Sequence, residues 1–369
     1  MWSTRNKFDT LVKFNQNSGK KSSWEKMNEE EIVEKITSAG QLASLLEISG
    51  YPKPGNVHRT RDFPQTRYEH FLAGTVAIKR SLSNSAKKGV LAGKGKISLS
   101  DIEIGEKIEQ GINSIKNMHY GGNTHLGVML LFAPLSATAG KTLFEESQFE
   151  AETLKKNFDR VMKSTTSKDS VHTCKAIRTA INGGKNEKKS PNDSWLGRLE
   201  DFNFSLTDND LERKLTQRNI SLYNLMQASS GWDGIAQELT NKMEVSFKTG
   251  FPTLKKVYER QKDINVAVVH TYLKILSEYP DTFIARKVGL EETEAIDRAV
   301  EIGMQKSREV SSRANQILRA GGLKTEKGRK KLEKLDEDLY KENGRLNPGT
   351  TADLTASSTM IALLSGLKY

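Results

Sequence analysis

Apolar residues recur along this chain at spacings of three and four, and sustained apolar/polar alternation is almost absent. That pattern predicts helices and scarcely any strand. From Glu29 to Ile48, EEEIVEKITSAGQLASLLEI puts acids in a first turn ahead of an apolar stripe, and Ser49-Gly50 ends it. YPKPGNVHRTRDFPQ, with three prolines, cannot continue a helix. The spacing predicts a helix over about 66–85, and another opened by Ser100 with Glu103 completing a capping box. GGNTHLGVMLLFAPLSATAG reads as a Gly-rich loop feeding a buried helix. Further helices are expected at about 144–163, 168–181, 208–228, 231–248, 252–279, 291–319, 325–342 and 350–367. The fold class is therefore all-α: a single helical bundle domain of about ten or more helices over 29–369, after an N-terminal extension, 1–28. The polar stretch INGGKNEKKSPNDSW reads as a flexible crossover inside that domain.

Composition narrows the partners. The single Cys174 excludes an internal disulfide, and its place in DSVHTCKAIRTA suits a small buried residue. The N-terminus lacks the apolar run of a signal peptide. The longest apolar stretch, LGVMLLFAPLSATA from Leu126, reads as too short for a membrane span and contains Pro134. The expected location is cytoplasmic, with no membrane partner. A net charge of +11 suits a polyanion: nucleic acid, anionic lipid or nucleotide phosphates. Aromatic residues are only 7%, thin for gripping single strands by stacking. The basic runs are also interleaved with acids, as in LKTEKGRKKLEKLDEDLYKENG, which is the pattern of solvated helix faces. Small phosphorylated molecules are thus favoured over nucleic acid.

Three non-helical turns gather polar residues. In GYPKPGNVHRTRD, two prolines stiffen the backbone and Gly55 permits a turn, which carries Lys53, Asn56, His58, Arg59, Arg61 and Asp62, a suitable clamp for phosphates or an ordinary charged loop. GGNTHLG opens an apolar helix, whose unpaired N–H groups favour an anion; Asn123, Thr124 and His125 either bind there or cap the helix. NPGTTADLT places Asp353 in the first turns of a last helix, as a dipole partner or as a metal or catalytic acid.

Taken in order, PKPGNVHR, GGNTHLG and NPGTTADLT resemble the triphosphoribosyl-dephospho-CoA synthase family (ATP:dephospho-CoA triphosphoribosyl transferases), whose blocks read approximately PKPGLVDR, NTHKG and SPGGSADLLA. CKAIRTAINGG, SSGWDGIAQE, TGFPTL and SEYPDTFIARKVG extend the likeness from about Glu47 to Leu364. The resemblance implies an all-α enzyme that moves the triphosphoribosyl group of ATP to the ribose 2′-hydroxyl of dephospho-CoA, with release of adenine. The product would be a prosthetic-group precursor for an acyl-carrier protein. It implies ATP as substrate, with Mg²⁺. Carried over by position, Lys53, Asn56, Arg59, Asn123, Thr124 and Arg286 would bind the nucleotide. Asp353, Asp281, Glu47 and His125 would serve catalysis, and Glu47, Glu69 and Asp353 would meet the metal. Asp281 also suits a helix cap, and Glu69 a solvated face. The chain departs from the blocks at His58, Leu126, Lys287-Val288, Thr350 and Thr351, and lacks a GAHxDM element near Asp62–Arg67. Those departures touch phosphate contacts and open two alternatives: another acceptor, or nucleotide hydrolysis on the same fold. A helical nucleic-acid-binding protein is the remaining reading.

Overall fold

A computed structural model describes residues 27–146, 149–181, 198–199, 204–205 and 208–369. Most of the N-terminal extension and the expected crossover at 182–195 lie outside the described residues. Within them the chain is all-α, apart from a two-residue antiparallel pairing of Arg198–Leu199 with Phe204–Ser205.

The axis of the fold is the Leu126–Glu145 helix, apolar or small on nearly every side and buried almost throughout. At twenty residues it is long and apolar enough to span a membrane, which corrects the shorter reading from sequence. The fold nonetheless encloses 94% of its most apolar window, as expected for a central core helix. Helices Lys79–Gly93, Glu29–Ser49, Ile104–Met118, Ala151–Lys163 and Gly349–Leu364 pack around it. Closest is Lys79–Gly93, because a Cβ at Gly89 would fall 1.9 Å from the Ala137 carbonyl oxygen. A second layer is built from helices Phe251–Gln261, Ile264–Glu278, Thr282–Gly289, Ile296–Arg319 and Glu326–Lys341, with its own apolar cluster around Tyr272, Leu276, Val310 and Leu335. The last helix, Gly349–Leu364, touches both layers. Its first turns therefore lie at the seam between them.

Several predicted helices divide. Residues 66–85 form Tyr68–Ala77 and the start of Lys79–Gly93, hinged at Ile78. Residues 208–228 form Leu211–Gln217 and Leu222–Ser229, broken at Asn219 (φ +49°) and recapped by the Ser221 side chain. Residues 252–279 break at Lys262 (φ +53°), where Asp263 caps Ile264–Glu278. The apolar period runs on through the breaks at Asn219 and Lys262, which are marked by positive φ and the caps Ser221 and Asp263, whereas no side chain caps the helix that follows Ile78. The 144–163 segment holds the end of the axial helix and then Ala151–Lys163. In 231–248, Gly234–Thr240 ends before Lys242 and Met243, both at positive φ, and a π turn follows at Ser246–Gly250. Buried Glu238 holds that turn, accepting the Val245 and Ser246 N–H groups at 3.0 and 2.7 Å; burial raises its pKa to about 7.

The expected capping box at Ser100 is not formed. Asp101 accepts the Ser98 N–H and hydroxyl, Ser100–Ile102 is a 3₁₀ turn, and Glu103 adopts a left-handed conformation (φ +59°) before Ile104–Met118. Cys174 is buried, which pushes its thiol up to about 12. Such a thiol is inert.

Candidate active site

Four helix starts converge on one cavity of ≈ 340 Å³. Its wall takes Asn123–Val128 from the start of Leu126–Glu145, Asp233 and Ile235 from Gly234–Thr240, Phe283, Arg286 and Lys287 from Thr282–Gly289, and Gly349, Thr350, Ala352 and Asp353 from the last helix. Helix starts present N–H groups and the positive ends of their dipoles, so the convergence favours an anionic ligand. Three starts already meet carboxylates: Asp233 Oδ1 accepts the Ala236 N–H at 2.8 Å, Asp281 Oδ1 accepts those of Phe283 and Ile284 at 2.9 and 3.1 Å, and Asp281 Oδ2 accepts that of Thr351 at 2.7 Å in the last helix. At the axial helix, Asn123 Oδ1 takes only the Leu126 N–H, at 3.0 Å.

Asp353 faces this cavity one turn into the last helix. Gly127 makes room for it: a Cβ there would lie 1.9 Å from Asp353 Oδ2. No described residue donates a hydrogen bond to the Asp353 carboxyl. Burial first, then the negative charges of Glu47, Asp281 and Asp233, raise its pKa well above 3.8, against a smaller opposing effect of Lys53. A carboxylate so placed is destabilised until a positive charge stands beside it.

Glu47, from the end of Glu29–Ser49, also lines the cavity. Lys53 does not. Its side chain is fully buried, its Nζ donating to Glu47 Oε1 and to the Glu47 carbonyl oxygen at 3.0 Å. Burial raises the Glu47 pKa and lowers that of Lys53, while each partner opposes the other's shift. The expected Lys53–phosphate contact is thus corrected: the PKPG turn folds inward and the ammonium holds the Glu47 carboxylate.

Arg286 is 4% exposed, lines the cavity and donates from NH1 to Asp233 Oδ2 at 3.2 Å. Burial lowers its pKa to about 10, so it stays charged at neutral pH. Lys287 beside it reaches across to the Gly344 carbonyl oxygen at 3.0 Å, over the Phe283 ring. Asp281 stands behind the wall. Its Oδ2 accepts both the N–H and the hydroxyl of Thr351 at 2.7 Å, which with the cap bonds makes four donors to a 1% exposed carboxyl. Its expected catalytic role is corrected to that of a clamp tying Thr282–Gly289 to the last helix.

His125 lines the cavity but is locked. Its Nδ1 lies 2.7 Å from Thr124 Oγ1, and its Nε2 lies 3.2 Å from Ser44 Oγ and 3.1 Å from Thr75 Oγ1. Burial, with His119 nearby, lowers its pKa to about 3. An imidazole that weakly basic is a poor proton carrier near pH 7, which corrects the catalytic reading; it positions the GGNTHLG loop. Because the unfolded chain accepts the proton first, near 6.5, the neutral ring's contribution to stability is present above pH 6.5 and lost as pH falls toward 3. In a proton NMR titration of the folded protein, the His125 ring signals should stay at their neutral positions down to pH 5. A midpoint near 6.5 would contradict this burial.

Asn56 and Thr124 line the cavity, and Asn56 Oδ1 accepts the Val57 N–H at 2.8 Å. Arg59 does not reach it: its guanidinium stacks on Tyr51 and donates to Asn265 Oδ1 at 3.1 Å. Glu69 is exposed, 3.4 Å from Arg67, and away from Glu47 and Asp353. Among the described residues no three His, Cys, Asp or Glu side chains are grouped to hold a metal ion. Asp233 and Asn347 belong to the cavity wall without having been singled out in the sequence, and Lys287, noted there only as a departure from the family block, lines it too. For Asp233 a signal existed, since Asp-Gly ahead of an apolar run is a helix start.

The family of ATP:dephospho-CoA triphosphoribosyl transferases matches residues 33–369. A crystal structure from Archaeoglobus fulgidus, provisionally named a triphosphoribosyl-dephospho-CoA synthase, is similar at 23% identity and a TM-score of 0.50, covering 78% of this chain and 99% of that one. That likeness shows the fold. No curated protein matches significantly.

Proposed function

This chain belongs to the ATP:dephospho-CoA triphosphoribosyl transferase family, and on that premise we propose that it moves the triphosphoribosyl group of ATP to the ribose 2′-hydroxyl of dephospho-CoA, releasing adenine. The observation that carries the reading is Asp353. It is a carboxyl without a donor among the described residues, set against Gly127 in a cavity ringed by helix starts.

In the reaction the acceptor oxygen bonds to C1′ of the ATP ribose as the C1′–N9 bond breaks. The hydroxyl proton leaves, adenine departs carrying a proton, and the triphosphate stays on the transferred sugar. Positive charge builds on the ribose as the base leaves, and a carboxylate beside it lowers the barrier. Asp353 supplies that charge; burial and the neighbouring negative charges raise its pKa, and a cation beside it would relieve both. The triphosphate is received by Arg286 and by the start of the axial helix. Mg²⁺ bound with the triphosphate would neutralise phosphate charge, and of the lining carboxylates Glu47 and Asp353 would hold it, since Asp233 is paired with Arg286. One or two carboxylates plus phosphate oxygens suit this ion, and among the described residues no fuller protein site is grouped.

Purified protein incubated with ATP, Mg²⁺ and dephospho-CoA should release free adenine, seen by chromatography, and omission of any one component should abolish it. Adenine release that ignores dephospho-CoA would instead assign the site to nucleotide hydrolysis.

A further inference from the structure

We infer that the ammonium of Lys287 binds a phosphate group of the substrate at the opening of the cavity, exchanging the Gly344 carbonyl for phosphate oxygens. The inference rests on the transferase reading only in bringing a phosphorylated substrate to this cavity.

Lys287 is half-buried, and it lines the cavity together with the two groups that fix its ammonium. Nζ donates to the Gly344 carbonyl oxygen at 3.0 Å and stands 4.5 Å from the centre of the Phe283 ring. The side chain thus ties the Thr282–Gly289 helix to the turn at Gly344. Asn343, next to Gly344, is an exposed lining residue, so this tie lies where the cavity opens to solvent.

The tie is built to be exchanged. Gly344 also accepts the Asn347 N–H at 3.3 Å, so its carbonyl keeps a donor when the ammonium leaves. An ammonium gains more from an anionic phosphate than from a neutral carbonyl, and the flexible four-carbon stem lets it swing between them. The neighbouring cation is placed differently: Arg286 is buried deeper and shares its charge with Asp233 at 3.2 Å. Two cations on consecutive residues of one helix therefore face the cavity, one inside and one at the opening. The proposed reaction brings two phosphate chains to this cavity, the triphosphate of ATP and the diphosphate of dephospho-CoA. The chemistry Lys287 recognises is common to both. Position 287 departs from the family's block, so the contact is this chain's own.

Three probes separate the sources. Mg-ATP, inorganic tripolyphosphate and dephospho-CoA are titrated calorimetrically, at several salt concentrations, into the wild type, Lys287→Met and Lys287→Arg. Lys287→Met keeps a long stem without the charge, and should bind at least one of the three about tenfold or more weakly. Its affinity for that ligand should also fall less steeply with added salt than the wild type's, because one charge pair is gone. A loss for ATP and tripolyphosphate assigns the lysine to the triphosphate, and a loss for dephospho-CoA assigns it to the diphosphate. Lys287→Arg should keep most of the affinity, and Lys287→Gln replaces the methionine variant if that one fails to fold. Wild-type affinity for all three ligands in Lys287→Met overturns the inference. So does a loss whose salt dependence matches the wild type's, which would leave Lys287 only a tie between helix and turn. A wild type that binds none of the three sinks the inference and the transferase reading together. Phosphate binding that weakens in Lys287→Met, in a protein that never releases adenine, upholds the inference while the transferase reading fails.

Discussion

Replacing Asp353 with Asn should lower the rate of adenine release by about 10² or more while leaving the fold as stable as the wild type or more so. The first half follows from transition-state electrostatics: asparagine keeps the shape and the close fit against Gly127 but removes the charge that answers the forming sugar cation. The second half follows from linkage. The pKa of Asp353 is raised in the folded chain, so its protonated form favours folding below the ordinary value of 3.8. That contribution is lost as pH rises through the folded pKa. At neutral pH the carboxylate thus burdens the fold, and the amide lifts the burden. Activity and melting temperature measured on the same variant decide the matter. A destabilised, fully active Asp353→Asn protein would show that the residue only supports its helix.

Lys53→Met should destabilise the protein by about 3–5 kcal/mol, because it leaves the Glu47 carboxylate buried without its cation. Urea unfolding reads this as a shifted midpoint with an unchanged slope. Adding Glu47→Leu to Lys53→Met should recover much of the loss, since the buried charge is then gone as well. A Lys53→Met protein with the wild-type midpoint would contradict the inward-facing lysine. Arg59→Ala, on the outer side of the same turn, should leave nucleotide affinity close to wild type, because its partners are Tyr51 and Asn265 and not the cavity.

The contrast between those two cations shows what the sequence could carry. PKPGNVHR announced a rigid turn rich in charge, but not which charges point inward. That depends on Glu47, which lies on a different element and meets Lys53 only after folding. The helical class was legible because period and caps are local, and helix division was missed where one apolar stripe crosses two helices. GGNTHLG and NPGTTADLT came together as the wall of one cavity because each is a helix start. Asp281 and His125 have residue types suited to chemistry, but their neighbours (Thr351 for one, Ser44, Thr75 and Thr124 for the other) saturate them. Saturation is a property of three-dimensional partners, and no linear spacing reveals it. The places of Asp233, Lys287 and Asn347 on the cavity wall depended in the same way on elements meeting in space.

The most direct test of the account is the mass of the acceptor after turnover. With ATP, Mg²⁺ and dephospho-CoA, the wild type should convert dephospho-CoA to a species heavier by one triphosphoribosyl group, in amounts equal to the adenine freed. Adenine appearing beside unchanged dephospho-CoA and free ribose triphosphate, or ATP consumed to ADP with no adenine at all, would contradict it.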